Sequence, residues 1–245
     1  MKWTPTTLRL LESIGSRLKN VEPVVLVVLT LATASIWGFV EIAGEVFEGD
    51  TEAFDHWLLH ALREPGAPAD PIGPRWLEEM ARDATALGGI GWLTFTTIVV
   101  AVYLWLDDKS HMMWFMLGST VGGALLSFAL KSFFSRPRPD LVPHLSHVYT
   151  SSFPSGHAML AAAVYLTLGS LLAAVMPSPK LKVYVLGVAI VLTTFVGISR
   201  VYLGVHYPTD VLAGWLAGLV WALACWLAAR WLQRHGQVEE PPGGA

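Results

Sequence analysis

The sequence predicts an all-α membrane protein: a six-helix transmembrane bundle with an N-terminal interfacial helix and a short helical extracytoplasmic loop. Three observations lead there. The 245 residues are 53% hydrophobic and only 14% charged, whereas soluble domains carry about a quarter charged residues. Mean hydropathy is +0.51. Six runs, at about 23–40, 84–106, 112–130, 158–176, 183–198 and 211–229, approach the roughly 20 apolar residues that cross a bilayer's hydrocarbon core.

The elements follow in chain order. Within residues 1–22, Thr4 can cap a helix, Pro5 suits its first position, and Leu8, Leu11, Ile14 and Leu18 fall on one face, as an interfacial helix requires. The first apolar run contains Val24–Leu31 followed by Ala32-Thr33-Ala34, which looks like a signal-peptide core, but apolar character continues through Ile36, Trp37, Phe39 and Val40. It is therefore read as a span. The loop at 48–83 predicts a short helix carrying Phe54, Leu58, Leu59 and Leu62, then a polyproline-like spacer through Pro65, Pro68, Pro71 and Pro74, then a second short helix with Trp76, Leu77 and Met80. These pieces rest on the bilayer surface or form a lid. Gly118 with Gly122, and Gly214 with Gly218, are spaced for close helix packing. Residues 1–234 make one membrane domain and 235–245 a disordered tail.

Composition also excludes some roles. The net charge of −3 makes no case for a nucleic-acid partner. The single cysteine, Cys225, allows neither an intrachain disulfide nor a thiolate metal cluster.

If the spans alternate, one side holds Lys2, Arg9, Arg17, Lys19, Lys109, Lys180, Lys182, Arg230 and Arg234, and the other only Arg63, Arg75 and Arg82 outside the polar motifs. The positive-inside rule then places both termini in the cytoplasm and the motif loops outside.

Three polar clusters adjoin the apolar runs: "KSFFSRPRP", "SSFPSGHAML" at 151–160, and "SRVYLGVHYPTD". Charge at a membrane edge is costly and so points to function. The first two clusters join spans three and four, the third joins spans five and six, so all lie on one face. Lys131, Arg138 and Arg200 supply fixed charge and N–H donors suited to a phosphate dianion. Ser155 and Gly156 sit where the fourth span begins, and free helix-terminal N–H groups favour an anion. His206 and Asp210 form a nucleophile–orienter pair, with Pro208 starting the helix so that Asp210 falls in its first turn. His157 is a second imidazole, able to protonate a leaving oxygen.

With these residues the chain resembles the type 2 phosphatidic-acid phosphatase superfamily, in its bacterial integral membrane branch. Lys131, six residues, then Arg138-Pro139 matches its first signature; Pro154-Ser155-Gly156-His157 the second; Ser199-Arg200, five residues, His206, three residues, Asp210 the third. The resemblance implies a metal-independent hydrolase of lipid phosphates that needs no cofactor and works through a phosphohistidine. His206 would be its nucleophile, Asp210 the orienter and His157 the acid. Lys131, Arg138, Ser155, Gly156 and Arg200 would hold the phosphate. Undecaprenyl diphosphate, phosphatidylglycerophosphate and phosphatidic acid are the implied substrate classes, met at the outer face of a bacterial inner membrane.

A lipid phosphotransferase with the same site, or a non-hydrolytic six-helix anion transporter, is the alternative. Arg136 is expected to contact headgroups, Glu41 and Glu45 to be interfacial charges, and His56, His60, His111, His144, His147 and His235 to be surface or loop residues.

Overall fold

The computed structural model describes residues 22–140 and 151–237. Among them the helices are α1 (Pro23–Glu48), α2 (Glu52–Ala61), α3 (Arg75–Ala86), α4 (Ile90–Leu106), α5 (Ser110–Phe133), α6 (Gly156–Val175), α7 (Pro179–Tyr202) and α8 (Pro208–Arg234), with strands β1 (Arg63–Glu64) and β2 (Ala67–Pro71). The expected helix within 1–22 lies outside the described residues apart from Glu22, as does the tail from 238. Helix α8 ends at Arg234 and is followed by a turn at Gly236.

Among the described residues, five helices are long and apolar enough to span a membrane: α1, α5, α6, α7 and α8. The run at 84–106, expected as one continuous span, is instead α3 and α4 bent by 53° around a short break. Counted as one broken span, this pair completes the six. The break is at Gly88-Gly89, and packing explains it. A Cβ at Gly88 would lie 2.4 Å from Val196 Cγ1 and 3.2 Å from the His157 carbonyl oxygen, so only glycine lets this turn rest on α6 and α7. Prolines open α1, α7 and α8 at their first turns, where a missing N–H costs nothing. Helix α1 stops at Gly49, which takes the left-handed conformation (φ 88°) and donates its N–H to the Glu45 carbonyl.

Helix α6 is the axis of the bundle. It packs most extensively on α8 and α7, while α1 leans on α8, and α5 on α6. Its alanine-rich sequence lets neighbours come close. Gly218 of α8 crosses where a Cβ would meet Met159 O and Ala162 Cβ, both at 2.5 Å. Gly122 likewise lies under Trp221, but Gly118 has nothing within 4 Å and is not the packing position its spacing suggested. Three apolar layers stack along α6. Met112, Met116, Leu171 and Ala229 form the first, and Leu93, Ala161, Val164, Tyr165 and Val196 the second. Leu59, Ala158, Val201, Tyr207 and Val211 form the third, beneath the polar clusters. Outward, α1, α4, α5 and α7 expose Trp37, Phe47, Trp105, Phe128, Val183 and Tyr184, as lipid-facing surfaces do.

The prolines of the loop between α2 and α3 do not make a polyproline spacer. Residues 63–71 form a small antiparallel hairpin turning at Gly66 (φ 94°). Arg63 is buried, its Nη2 donating to the Tyr202 carbonyl oxygen at the end of α7 (2.6 Å). At the opposite end of the bundle, Arg230 and Arg234 of α8 pair with Glu22 just before α1. The start of α1 and the end of α8 therefore share one end, and the polar clusters the other.

Candidate active site

The predicted residues come from four places that the fold brings to one end of the bundle. Lys131 is in the last turn of α5, Arg138 in the extended segment after it, Ser155 and Gly156 cap and open α6, and His157 follows. Arg200 lies in the last turn of α7, His206 in the turn that follows, and Asp210 in the first turn of α8. The starts of α6 and α8 are tied directly, Ser155 N–H donating to the Asp210 carbonyl oxygen at 2.9 Å. This approach needs Gly214, where a Cβ would lie 2.7 Å from Ser155 O.

His206 and Asp210 are buried, and His206 Nδ1 lies 3.3 Å from Asp210 Oδ2. The carboxylate also accepts from Tyr207 N–H (2.9 Å) and the Ser152 hydroxyl on Oδ2, and from Arg136 Nη1 on Oδ1 (2.8 Å). A carboxylate surrounded by donors is an acceptor, so Nδ1 carries the hydrogen and Nε2 keeps its lone pair. Arg138 Nη1 sits on that Nε2 side, 3.5 Å from the ring nitrogen and 3.5 Å from the Val205 carbonyl oxygen. Burial pushes the His206 imidazole down to about 4, only partly opposed by Asp210, so the ring is neutral at ordinary pH. Burial also lowers Arg138.

His157 has Arg200, His206, Arg138 and Lys131 as its charged neighbours. Lys131 Nζ donates to the Ser151 carbonyl oxygen (2.9 Å) and feels Arg138, Asp210 and Arg200. Arg200 Nη1 donates to Thr85 Oγ1 (2.9 Å), beside the α3–α4 break, so that bend holds a cation of the cluster. Arg200 Nε and Ser155 Oγ are buried with no hydrogen-bond partner. Buried donors without acceptors are costly unless a ligand completes them. A tetrahedral oxyanion fits this requirement, with cations around it and a neutral imidazole at its edge.

The structure corrects the expectation for Arg136. It is not a headgroup contact but a nearly buried side chain, 11% exposed, whose Nη2 pairs with Asp55 (2.6 Å) while Nη1 pairs with Asp210. Burial pulls this guanidinium down, but Asp210 and Asp55 outweigh it and the group is raised. Ser152, Asp55 and Thr209 were also missed. Thr209 donates both its N–H and its hydroxyl to Asp55, at 3.1 and 2.6 Å. A signal existed for Asp55: Thr51, Asp55, Leu59 and Arg63 recur every fourth residue, and all four are buried. Of the expected apolar face, Leu59 is fully buried and Leu62 packs beside it, whereas Phe54 is exposed. His56 stacks on His60 and edges onto Tyr207 outside the site.

The chain is similar to known proteins. The family model of the PAP2 superfamily matches residues 112–234, which include every predicted site residue. The chain belongs to the PAP2 superfamily. Phosphatidylglycerophosphatase B of Bacillus subtilis is 39% identical over 148 residues, covering 59% of this chain and 71% of that protein. The lipid A 1-phosphatase of Rhizobium etli is 26% identical over 175 residues, covering 59% of this chain and 69% of its own. The crystal structure of a transmembrane PAP2-type phosphatidylglycerolphosphate phosphatase from Bacillus subtilis superposes with a TM-score of 0.72 at 30% identity. It covers 83% of this chain and 98% of that one. This PAP2 member is accordingly a multi-pass membrane protein and a hydrolase of the lipid phosphatase class. The transporter alternative lapses.

Proposed function

We propose that this PAP2 member hydrolyses a lipid phosphate or diphosphate, of the phosphatidylglycerophosphate, phosphatidic acid or undecaprenyl diphosphate class, through a phosphohistidine. One observation carries the reading: a buried, neutral His206 has Nδ1 held by Asp210 and Nε2 turned toward Arg138. Nε2 attacks phosphorus while the bond to the lipid oxygen breaks, and His157 gives that oxygen its proton. Attacking and leaving atoms lie in line through phosphorus. Lys131, Arg138, Arg200, the Ser155 hydroxyl and the N–H groups at the start of α6 hold the equatorial oxygens, where negative charge accumulates. His157, now the base, takes a proton from water. That water's oxygen attacks phosphorus, the P–N bond breaks, and free phosphate leaves with His206 neutral again. No metal or cofactor enters this scheme.

A lipid substrate keeps its tails in the bilayer and meets the cluster at the membrane edge. The nine-to-three bias of basic residues supports an outward-facing site with cytoplasmic termini in a bacterial inner membrane. Phosphatidylglycerophosphate is the first substrate to test, being the one named in relatives found by sequence and by structure alike.

The test is phosphate release from a panel of lipid mono- and diphosphates, with ³²P-labelled substrate quenched in base to trap the acid-labile phosphohistidine. Wild type should label and turn over without added divalent metal, and His206→Ala should do neither. Full hydrolysis by His206→Ala overturns the nucleophile assignment. His157→Ala should lose most on substrates with poor leaving groups; equal losses across leaving groups remove its role as the acid.

A further inference from the structure

The outer loop supplies a carboxylate that the hydrolytic scheme does not use. Asp55 of α2 is fully buried, far in sequence from the signature residues, and it accepts from Arg136 Nη2, the Thr209 hydroxyl and the Thr209 N–H. Arg136 is a two-handed bridge. Its other terminal nitrogen meets both Asp210 Oδ1 and Thr209 Oγ1 at 2.8 Å, and its plane lies 4.4 Å over the Tyr207 ring. Thr209 thus accepts from Arg136 and donates its hydroxyl hydrogen bond to Asp55, closing a ring of hydrogen bonds around the first turn of α8.

We infer that Asp55 and Arg136 are positioning residues for the reaction: together they fix the rotation of the Asp210 carboxylate, so that one oxygen faces His206, and balance each other's charge beside it. This rests on His206 and Asp210 acting as proposed above. The fork explains why two carboxylates are needed. Arg136 alone would place a full positive charge against Asp210 and cancel the negative charge that supports His206 as it bonds to phosphorus. With Asp55 on the far side, the three-membered array keeps a net negative charge. The remaining charged groups facing His206 are cations or a second imidazole: Arg200 of α7, Arg138, and His157 of α6, with Lys131 of α5 behind it. Asp55 and Asp210 are the only carboxylates in direct contact with Arg136 among the described residues. Helix α2 is therefore part of the catalytic apparatus rather than a piece resting on the bilayer.

The experiment uses the full chain in nanodiscs with phosphatidylglycerophosphate as substrate. It compares wild type, Asp55→Asn, Arg136→Lys and the double variant Asp55→Asn/Arg136→Gln, each normalised to the fraction that binds vanadate. Asp55→Asn should lower kcat about tenfold or more while KM stays within about threefold, since the phosphate-holding cations are untouched. Its acid limb should move about half a pH unit lower, because an unbalanced Arg136 disfavours a proton on His206. The double variant should move that limb back up. Arg136→Lys, which keeps the charge but loses the fork, should recover less than half of the wild-type kcat.

A kcat within twofold of wild type for Asp55→Asn overturns the inference. So does a loss wholly accounted for by the vanadate-binding fraction with an unmoved pH profile, which is what a merely structural role produces. Base-quenched phosphohistidine separates the two layers. If wild type forms none, the hydrolytic scheme falls and the positioning role with it. If wild type forms it and Asp55→Asn forms it at the wild-type rate, the positioning role alone falls.

Discussion

Replacing Asp210 with Asn removes one charge and almost no volume, so its effect isolates the carboxylate. In the wild type Oδ2 lies 3.3 Å from His206 Nδ1. At an effective dielectric near 20, a full negative charge at that distance stabilises a full positive charge on the ring by about 5 kcal/mol. The ring takes only part of a charge on bonding to phosphorus, and Arg136 at 2.8 Å already opposes the carboxylate. About half of the gross figure survives, about 2–3 kcal/mol, which is about 30- to 160-fold in rate. The amide also has no good orientation. With its NH₂ toward Oδ1's place it faces the Arg136 donor; turned over, it faces Nδ1 and disfavours the tautomer that leaves Nε2 free. Phosphate release from phosphatidylglycerophosphate in mixed micelles should therefore show kcat at least about 30-fold lower for Asp210→Asn. KM should change little, because Lys131, Arg138 and Arg200 remain. A fall of less than threefold would refute the role given to this carboxylate.

Two further expectations come from the buried imidazole and from the bias of basic residues. His206 must be neutral to attack, and burial holds it at about 4 rather than 6.5, so the acid limb of kcat/KM should lie well below pH 6. The linkage has the corresponding sign. The unfolded imidazole takes its proton first, so this group's stabilisation is present above about pH 6.5 and is lost as pH falls toward 4. A limb at 6.5 or higher in a pH series of initial rates would contradict the buried, neutral ring. The outward orientation is tested with Ala69→Cys in the exposed hairpin, since the one native cysteine, Cys225, is buried. Impermeant maleimide should label it in intact cells, and labelling only after permeabilisation would invert the topology.

Much of this protein was legible without coordinates, because the bilayer forces a simple code. Apolar runs must be helices, prolines mark where α1, α7 and α8 begin, and charges at the ends of such runs mark a site. The three signatures carried the cations and both imidazoles of the cluster, since each signature is local and each sits at a helix end whose position the hydropathy already marked. The α3–α4 bend was less legible. Gly88-Gly89 is a weak breaker alone, and the reason for breaking there, the contact with Val196 and His157, comes from α6 and α7.

Sequence by itself determined the helical membrane class and the polar residues that gather at one end of the bundle, because both depend on local composition and short spacing. Tertiary structure alone decided how the Asp210 carboxylate is held. Arg136 looked like a headgroup contact because a lone arginine at a membrane edge finds water and lipid phosphate. It is buried instead because Asp55, 81 residues away, meets it across the first turn of α8. Apolar periodicity could not locate that partner: the buried residues in and around α2 are Thr51 just before it, Asp55 and Leu59 within it, and Arg63 just beyond it, a single leucine among polar groups. A buried polar stripe has no hydrophobic signature, and its energy lies in hydrogen bonds that exist only once the distant chain segments have come together.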